Sequence, residues 1–531
     1  MIVKIHGPPG TGKTTTLCKI IKYYQEKGVK LKNIMYISFS NAAIESIYSK
    51  LGLPYKVKNK SRKIPYFRTI HGICLSYLMK FKEYRENLRK LFCQPNLVDS
   101  YYLYYCRSQG IAYDPDLMSD DLGNRAINLW TRIVSDNFPG KTLTRCLDIL
   151  KNTDEECYEV IEGWFKYKKE KKILDWVDIL VAAYYKDINF YNSNIKLALV
   201  DEAQDFNRLE YILLSKILRG IPTVFFAGDV NQAIYLFKGA KPEFLYNLKA
   251  DREFSLKKTY RMSSEVVKFS TKILESMELK KIVNLEPRCE GGNVALLHNP
   301  VSLSRFCEFV VKYALTNIKK SVFLLVRTNY IMKTLLKEMF NLGYLPLMVR
   351  NDSIWNIHFP RVYIVMRKIS KGVSLTPEEK KWVVELLPIS KKKKEILMSN
   401  IDKLDVSKIF NKGTLSKISS EGKRCVLKEM LNRRVFPYSK NTLFDIITNC
   451  DKYYILPNLK IGTFHSSKGL EADSVIILDG LTNKVLNSLS SGETTIDDEL
   501  RNYYVAATRA RDEVIVMTCT KYKPFLTKII S

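Results

Sequence analysis

Apolar residues in this chain gather in short runs, each closed by a polar or glycine-rich segment. "IVKIH" (2–6), the start of "IKLALVDEAQD" (195–205), the start of "TVFFAGDVNQAIYLFKGA" (223–240), "VFLLV" (322–326) and "VIIL" (475–478) are all strand-length. "TTTLCKIIKYY" (14–24) spaces its apolar residues as an amphipathic helix does. Buried strands followed by helices predict an α/β fold. Two stretches break the alternation. The first, 81–175, is rich in tyrosine and charge ("YYLYYCRS", "WFKYKKEKK") and reads as mostly helical. The second, 346–455, contains "LTPEEKKWVVELL", with a threonine cap and a proline in the first helical turn, then four lysines at 391–394. No apolar run approaches the length of a membrane span, so a membrane partner is not expected.

Composition sharpens this picture. At 531 residues the chain exceeds what one hydrophobic core supports, so two or more domains are expected. A net charge of +30 points to a polyanionic partner, because lysine and arginine condense onto phosphates and release counterions. The 346–455 stretch carries about +10 of that charge, consistent either with a nucleic-acid-facing surface or with a solvated helical face. Eleven scattered cysteines predict free thiols in a reducing, intracellular compartment, with the protein soluble in the cytoplasm. Cys93, Cys106, Cys146 and Cys157 fall in one region but lack C-x-x-C spacing, and they read as buried small residues rather than metal ligands.

"GPPGTGKT" (7–14) carries the first chemistry. A strand before it and a helix after it are the setting of a phosphate-binding loop. Gly7, Pro8, Pro9, Gly10, Thr11 and Gly12 turn backbone N–H groups inward, Lys13 adds a point charge at the β- and γ-phosphates, and the Thr14 hydroxyl suits Mg²⁺, with Thr15 beside it. Such a loop needs a carboxylate at the end of a second buried strand. "VDEAQD" (200–205) supplies Asp201 for the magnesium shell and Glu202 to orient and deprotonate water. About 180 residues separate the two elements, too many for a simple nucleotide kinase core, so a large insertion interrupts the lobe. Farther on, Gln232 is placed to sense the γ-phosphate, since its amide both donates and accepts. Tyr235, Phe237 and Lys238 follow within six residues, as a stacking platform for unpaired bases or as core aromatics.

The ordered set "GPPGTGKT", "YISFSNAA" (36–43), "TIHGICLSYL" (69–78), "LDWVDIL" (174–180), "VDEAQD", "GDVNQAIYLFKGA" (228–240), "LKKTYR" (256–261), "LVRTN" (325–329), "GTFHSSKGLEADSVIIL" (462–478) and "NYYVAATRARD" (502–512) resembles the UvrD/Rep-type superfamily-one helicases over essentially the whole chain. The resemblance implies two RecA-like parallel-sheet lobes, each interrupted by a mainly helical insertion. The first lobe would comprise 1–80 and 176–255 with 81–175 inserted; the second, 256–345 and 456–531 with a shortened insertion at 346–455. It implies catalytic roles for Lys13, Asp201, Glu202 and Gln232, with Arg261 and Arg509 as arginine fingers meeting the charge that develops on the γ-phosphate. Tyr260 would stack on the base and Glu471 would bind the ribose. Single-stranded DNA would meet Phe39, Asn41, Thr69, His71, Tyr235, Phe237, Lys238, Thr463 and His465, where Lys238 replaces the family's usual arginine.

What the resemblance implies as a whole is an ATP- and Mg²⁺-dependent motor, monomeric or weakly dimeric, that moves 3′ to 5′ on single-stranded DNA and opens tailed duplexes. A translocase that strips bound proteins without efficient unwinding, and a nucleotide-gated DNA-binding protein, are the competing readings; RNA shares the same stacking and phosphate chemistry. The phosphate loop starts at residue 7, so no upstream base-reading segment is expected, and stacking by Tyr260 predicts weak preference for ATP over GTP. No appended nuclease is expected after "DEVIVMTC" (512–519).

Overall fold

A computed structural model describes residues 1–53, 65–85, 88, 97–113, 121–191, 193–349, 368, 373–386, 395, 398–399, 454–492 and 494–530. The chain divides into two compact units. The first takes in Met1–Asn293 and Ser488–Asp512, the second Val294–Asn487 and Glu513–Ile529. Residues 256–293 and 488–512, expected from the sequence to go with the second lobe, therefore pack within the first unit.

The first unit is built on strands β1 (Ile2–His6), β2 (Ile34–Ser38), β3 (Phe67–Thr69), β4 (Leu197–Asp201), β5 (Thr223–Gly228) and β6 (Arg252–Ser255). They run in the order β3-β2-β4-β5-β1-β6, and every pairing is parallel. Alternate residues of a strand face opposite sides, and here both sides are buried. Ile34, Tyr36, Leu197 and Leu199 meet one core with helices α1 (Lys13–Glu26) and α2 (Asn41–Lys50). Met35, Ile37, Ala198 and Val200 meet the other, larger core. Burial on both faces explains why these strands read as unbroken apolar runs.

That larger core holds α3 (Ile70–Leu78) and the helices of the first insertion: α4 (Leu97–Ser108), α5 (Leu122–Asn137), α6 (Leu143–Thr153) and α7 (Glu155–Lys171). Helices α8 (Trp176–Tyr185) and α9 (Arg208–Leu218) complete it. The insertion is helical, as its sequence predicts, and many of its aromatics are core. Trp130 and Trp164 are almost wholly buried, and Tyr102 and Tyr105 donate to the carbonyls of Gly123 (2.9 Å) and Val160 (2.7 Å). Cys106, Cys146 and Cys157 are buried there too, and among the described residues no cluster of metal-ligating side chains occurs. Cys93 lies outside the described residues.

The second unit has its own six-stranded sheet: β7 (Asn293–Val301), β8 (Val322–Val326), β9 (Tyr344–Met348), β10 (Tyr454–Thr463), β11 (Ala472–Asp479) and β12 (Ala510–Cys519), ordered β7-β12-β11-β8-β10-β9. Its central pairings, β11–β8, β8–β10 and β10–β9, are parallel. Two six-stranded sheets flanked by helices are the two RecA-like lobes of the expected α/β class. Of the second insertion, 373–386 is described, including a helix at Pro377–Leu386. Thr376 accepts from the Glu379 N–H (3.3 Å), and Glu379 returns a bond to the Thr376 N–H (2.8 Å), the cap its sequence predicts. The lysine cluster at 391–394 lies outside the described residues. Among the described residues no helix is long and apolar enough to cross a membrane.

A parallel sheet delivers all its carboxyl ends to one edge. Ser38 aligns with Asp201 and Thr69, and His6 aligns with Gly228 and Ser255. The segments leaving those positions are the loops in which ligands of open α/β sheets bind.

The insertion is tied to this frame by a buried ion cluster. Lys168 of α7 lies 2.6 Å from Asp175 and 2.7 Å from Asp178, which form the capping box of α8. The Trp164 indole donates to Asp175 as well (2.9 Å). Burial and the charge of Asp175 push the Asp178 carboxyl up to about 6 even with the ammonium present. Replacing Lys168 by methionine strands two buried carboxylates, so K168M is expected to lose about 3–5 kcal/mol of stability at pH 7.5 in urea unfolding. A loss below about 1 kcal/mol would show that the cluster is not what joins α7 to α8.

Candidate nucleotide and nucleic-acid site

The loop between β1 and α1 has the form its letters predict. Gly10 and Gly12 take positive φ angles of 72° and 80°, which glycine alone adopts freely. Thr11 folds back on Pro8 through its hydroxyl (2.7 Å). Lys13 Nζ donates to the Gly7 carbonyl (2.6 Å), and a Cβ on Gly7 would overlap the stem of Lys13. Helix α1 has no side-chain cap and no acid in its first turn, so its N–H groups stay available to an anion.

Asp201, at the end of β4, is fully buried. It accepts from Tyr36 Oη (2.5 Å) and from Thr14 Oγ1 (3.4 Å). Burial, then the charge of Glu202, push its carboxyl up to about 6. A buried carboxylate beside a threonine hydroxyl is a hard-oxygen pair of the kind that would fit Mg²⁺. In that role the metal would neutralise phosphate charge, and Thr14 and Asp201 would hold it.

Glu202 follows in a left-handed conformation (φ 54°, ψ 44°), an arrangement that costs a non-glycine residue about 1–3 kcal/mol and turns its side chain off the strand. Gln204 donates to Glu202 Oε2 (2.6 Å) and accepts the Asp229 N–H (3.0 Å). Asp229, also fully buried, accepts from Gln232 Nε2 (2.7 Å) and from the Asn231 N–H (3.0 Å). Arg509, 1% exposed, reaches Gln232 Oε1 at 3.5 Å. It is held by its own helix end, donating to the Val505 carbonyl (2.8 Å) and to the Thr508 hydroxyl (3.0 Å). Glu202 and Gln232 are thus joined by hydrogen bonds through Gln204 and Asp229, and Arg509 closes the row.

The segment after β6 lies on the phosphate loop itself. Thr259 donates to the Pro9 carbonyl (3.1 Å), and the Tyr260 N–H donates to Gly10 (2.9 Å). A Cβ on Gly10 would stand 2.6 Å from Arg261 Cβ, so Gly10 is required by crowding as well as by φ. Arg261 donates to the Thr508 carbonyl (3.0 Å), while the Tyr260 ring is 66% exposed. Sequence reasoning singled out Tyr260, Arg261 and Arg509 but missed Tyr36, Gln204, Asp229, Thr259 and Thr508. Their partners lie up to 250 residues away in the chain, and no local pattern marks them.

Beside this row stand the aromatic residues. Phe39, following β2, stacks on Tyr235 (5.1 Å, 25°). Phe237 lies 6.2 Å from Tyr235, and Lys238 Nζ sits 5.8 Å from each of those two rings. Phe39, Tyr235 and Phe237 are half-buried, so part of each ring faces out; Asn41 is exposed at the start of α2. The Thr69 hydroxyl caps α3, accepting the Gly72 N–H (3.2 Å). His71 meets Trp176 edge-on (5.6 Å), with Nδ1 3.7 Å from Glu210 Oε1. In the second unit, Thr463 ends β10 and accepts the Ser466 N–H (3.2 Å). His465 is buried in the turn that follows, and Glu471 is exposed just before β11.

Glu210, 2% exposed, makes the capping box of α9 with Asn207. Burial pushes its carboxyl up to about 7, and Asp205 adds to the shift. Because the folded value lies above the unfolded one, this group's stabilisation is complete below the ordinary carboxylate range. It is lost as pH rises toward 7. Glu210→Gln keeps the bond to Asn207 and removes the titration. E210Q is expected to gain on wild type by about 2 kcal/mol at pH 8 and by little at pH 5. Urea unfolding at the two pH values checks it, and a gap that does not widen with pH refutes it.

Residues 2–253 match the UvrD/REP helicase N-terminal domain and residues 362–521 the UvrD-like helicase C-terminal domain. The ATP-dependent DNA helicase Rep of Buchnera aphidicola is 24% identical over 96% of this chain and 90% of its own length. A probable DNA helicase II homolog of Mycoplasma genitalium is 23% identical over 96% of this chain and 81% of that protein. The ATP-dependent DNA helicase UvrD1 of Mycobacterium tuberculosis is 26% identical over 50% of this chain and 36% of its own length. Phosphate loop, acidic strand end, glutamine and paired arginines fall in the matched stretches or beside them, and the chain belongs to the UvrD/Rep helicase family.

Proposed function

We propose that this protein is an ATP-dependent DNA helicase. It hydrolyses ATP with Mg²⁺, moves 3′ to 5′ on single-stranded DNA and separates the duplex ahead of it. Its relatives' names support the activity in outline. The observation that carries the reading is one of distance along the chain. Gln232, tied to Glu202 through Gln204 and Asp229, stands three residues before Tyr235, which stacks on Phe39.

In this reading the loop N–H groups and Lys13 hold the β- and γ-phosphates, and Tyr260 packs on the base. Glu202 takes a proton from the attacking water, which Gln232 orients. Arg261 and Arg509 meet the negative charge that builds on the departing phosphoryl group. The loss of that group releases Gln232, and the short peptide to Tyr235 carries the change to the aromatic pair. Bases stacked there gain about 1–3 kcal/mol each, so shifting the pair shifts the strand. Lys238 and the basic surface supply phosphate contacts that do not depend on sequence.

Strand displacement on tailed duplexes tests this, with Lys13→Ala as the inactive control. Wild type is expected to open 3′-tailed substrates and leave 5′-tailed ones closed; the reverse preference would overturn the polarity. Glu202→Gln is expected to lower kcat for DNA-stimulated hydrolysis by about 10²–10⁴ while leaving ATP affinity within a few-fold. Retention of most of the activity would remove Glu202 from the role of base.

A further inference from the structure

One buried side chain beside the phosphate loop has no place in the scheme above. His6 closes β1, directly before Gly7, and is 3% exposed. Its Nε2 has no hydrogen-bond partner. A polar atom buried in that state is costly, and its presence needs a reason. Asp229 Oδ1 stands 3.9 Å from it, which is about 1 Å beyond a hydrogen bond.

Asp229 is the carboxylate that holds Gln232. Its Oδ1 accepts the Asn231 N–H (3.0 Å) and its Oδ2 the Gln232 side-chain amide (2.7 Å). The backbone on both sides of the gap is pinned. The Gly7 N–H donates to the Gly228 carbonyl (3.0 Å), and the Leu256 N–H to the His6 carbonyl (2.8 Å). The gap therefore closes by rotation of side chains. Both oxygens of a carboxylate turn as one group, so drawing Oδ1 to the imidazole takes Oδ2 from Gln232. Burial holds the His6 ring below the ordinary histidine range; Asp229 and Glu253 favour a proton on it, while Lys281 and Lys13 oppose one. Tyr504, whose buried hydroxyl stays neutral, lies by Asp229. At neutral pH the ring is thus uncharged, and the carboxylate is left to Asn231 and Gln232.

We propose that His6 is a positioning residue that acts on Gln232 through Asp229, leaving the carboxylate to Gln232 when neutral and taking it when protonated. This rests on the reading of Gln232 as the group that orients the attacking water. A charge-assisted hydrogen bond is about twice as strong as a neutral one, so an imidazolium outbids the two amide donors for Asp229. Gln232 then loses the acceptor of its Nε2, and hydrolysis slows in acid by more than its other titrating groups account for.

The alternative is that His6 only fills space at the strand end, where it neither takes a proton nor alters the pH dependence. The full chain holds five histidines. In NMR spectra of the protein with isotope-labelled histidine, the His6 signal is the one lost in His6→Gln. It is expected to titrate at a lower pH than free histidine, and at a lower pH still in Asp229→Asn, which lacks the attracting charge. In DNA-stimulated hydrolysis, kcat at about pH 5.5 divided by kcat at about pH 8 is expected to be about three- to tenfold higher in H6Q than in wild type. The other titrating groups are common to both proteins, so the comparison isolates His6. His6→Asn, a second neutral amide, is expected to behave alike and replaces H6Q if that variant does not fold. A His6 signal that does not titrate before the protein unfolds, or that titrates alike in D229N, overturns the proposal. So does an equal kcat ratio in wild type and H6Q. Gln232→Ala with the kcat of wild type would instead sink the role given to Gln232 and leave the titration of His6 standing.

Discussion

Asp229 is the point at which the first unit's chemistry is held together. Its carboxylate is fully buried, and each oxygen has work: one accepts the Asn231 N–H, the other the Gln232 side chain. Its own N–H goes to Gln204, which in turn holds Glu202. The Asn231 side chain then clasps the chain at Lys281, donating to its carbonyl (2.8 Å) and accepting its N–H (3.1 Å). A buried carboxylate is tolerated only where donors surround it, so this one fixes its neighbours as firmly as they fix it. Without it Gln232 loses the acceptor of its Nε2 and the hydrogen-bonded link from Glu202 toward Gln232 is cut.

A second constraint is steric. The phosphate loop and the segment Thr259–Arg261 approach so closely that only a hydrogen fits at Gly10. Hydrogen bonds from Thr259 to Pro9 and from Tyr260 to Gly10 fix the approach. Tyr260 and Arg261, proposed to stack on the base and to meet the γ-phosphate, are therefore set by the backbone of the loop proposed to cradle phosphate. Arg261 packs against the loop at Gly10 and donates to the Thr508 carbonyl, in the turn bearing Arg509.

Some of this was legible in the letters and some was not, for physical reasons. The phosphate loop could be read because phosphate binding restricts backbone geometry within eight adjacent positions, and glycine and lysine are its signature. Asp201 and Glu202 followed because such a loop needs a carboxylate at a strand end. The strands were legible because parallel sheets bury both faces. What could not be read was who holds whom. Tyr36 looks like one more apolar strand residue until the parallel register brings its hydroxyl to Asp201. Lys168 looks like part of a solvated run, "KYKKEKK", yet it is buried between Asp175 and Asp178. Thr69 and Thr463 are expected to contact single-stranded DNA; that their hydroxyls also turn the backbone, accepting the N–H groups of Gly72 and Ser466, could not be read from the letters. Pairings across a hundred residues or more depend on topology, which single-sequence patterns do not encode.

At the carboxyl edge of the first unit's sheet, acids and lysines lie at different depths. Carboxylates with a structural task are inside: Asp201, Asp205, Glu210 and Asp229 are all nearly or wholly buried. Desolvation raises Asp201 to about 6 and Glu210 to about 7, so burial disfavours the charge of each and the hydrogen bonds they accept work against that shift. The lysines at the same edge, Lys13, Lys50 and Lys238, stand partly or fully in solvent, while Arg509 is buried. Lysines and carboxylates at this edge are therefore separated by depth, whereas Lys168, away from it, is buried and paired with Asp175 and Asp178. Pairing those at the edge would neutralise the surface on which triphosphate and nucleic acid are proposed to act, while separation lets buried acids order the backbone and leaves exposed lysines open to phosphates.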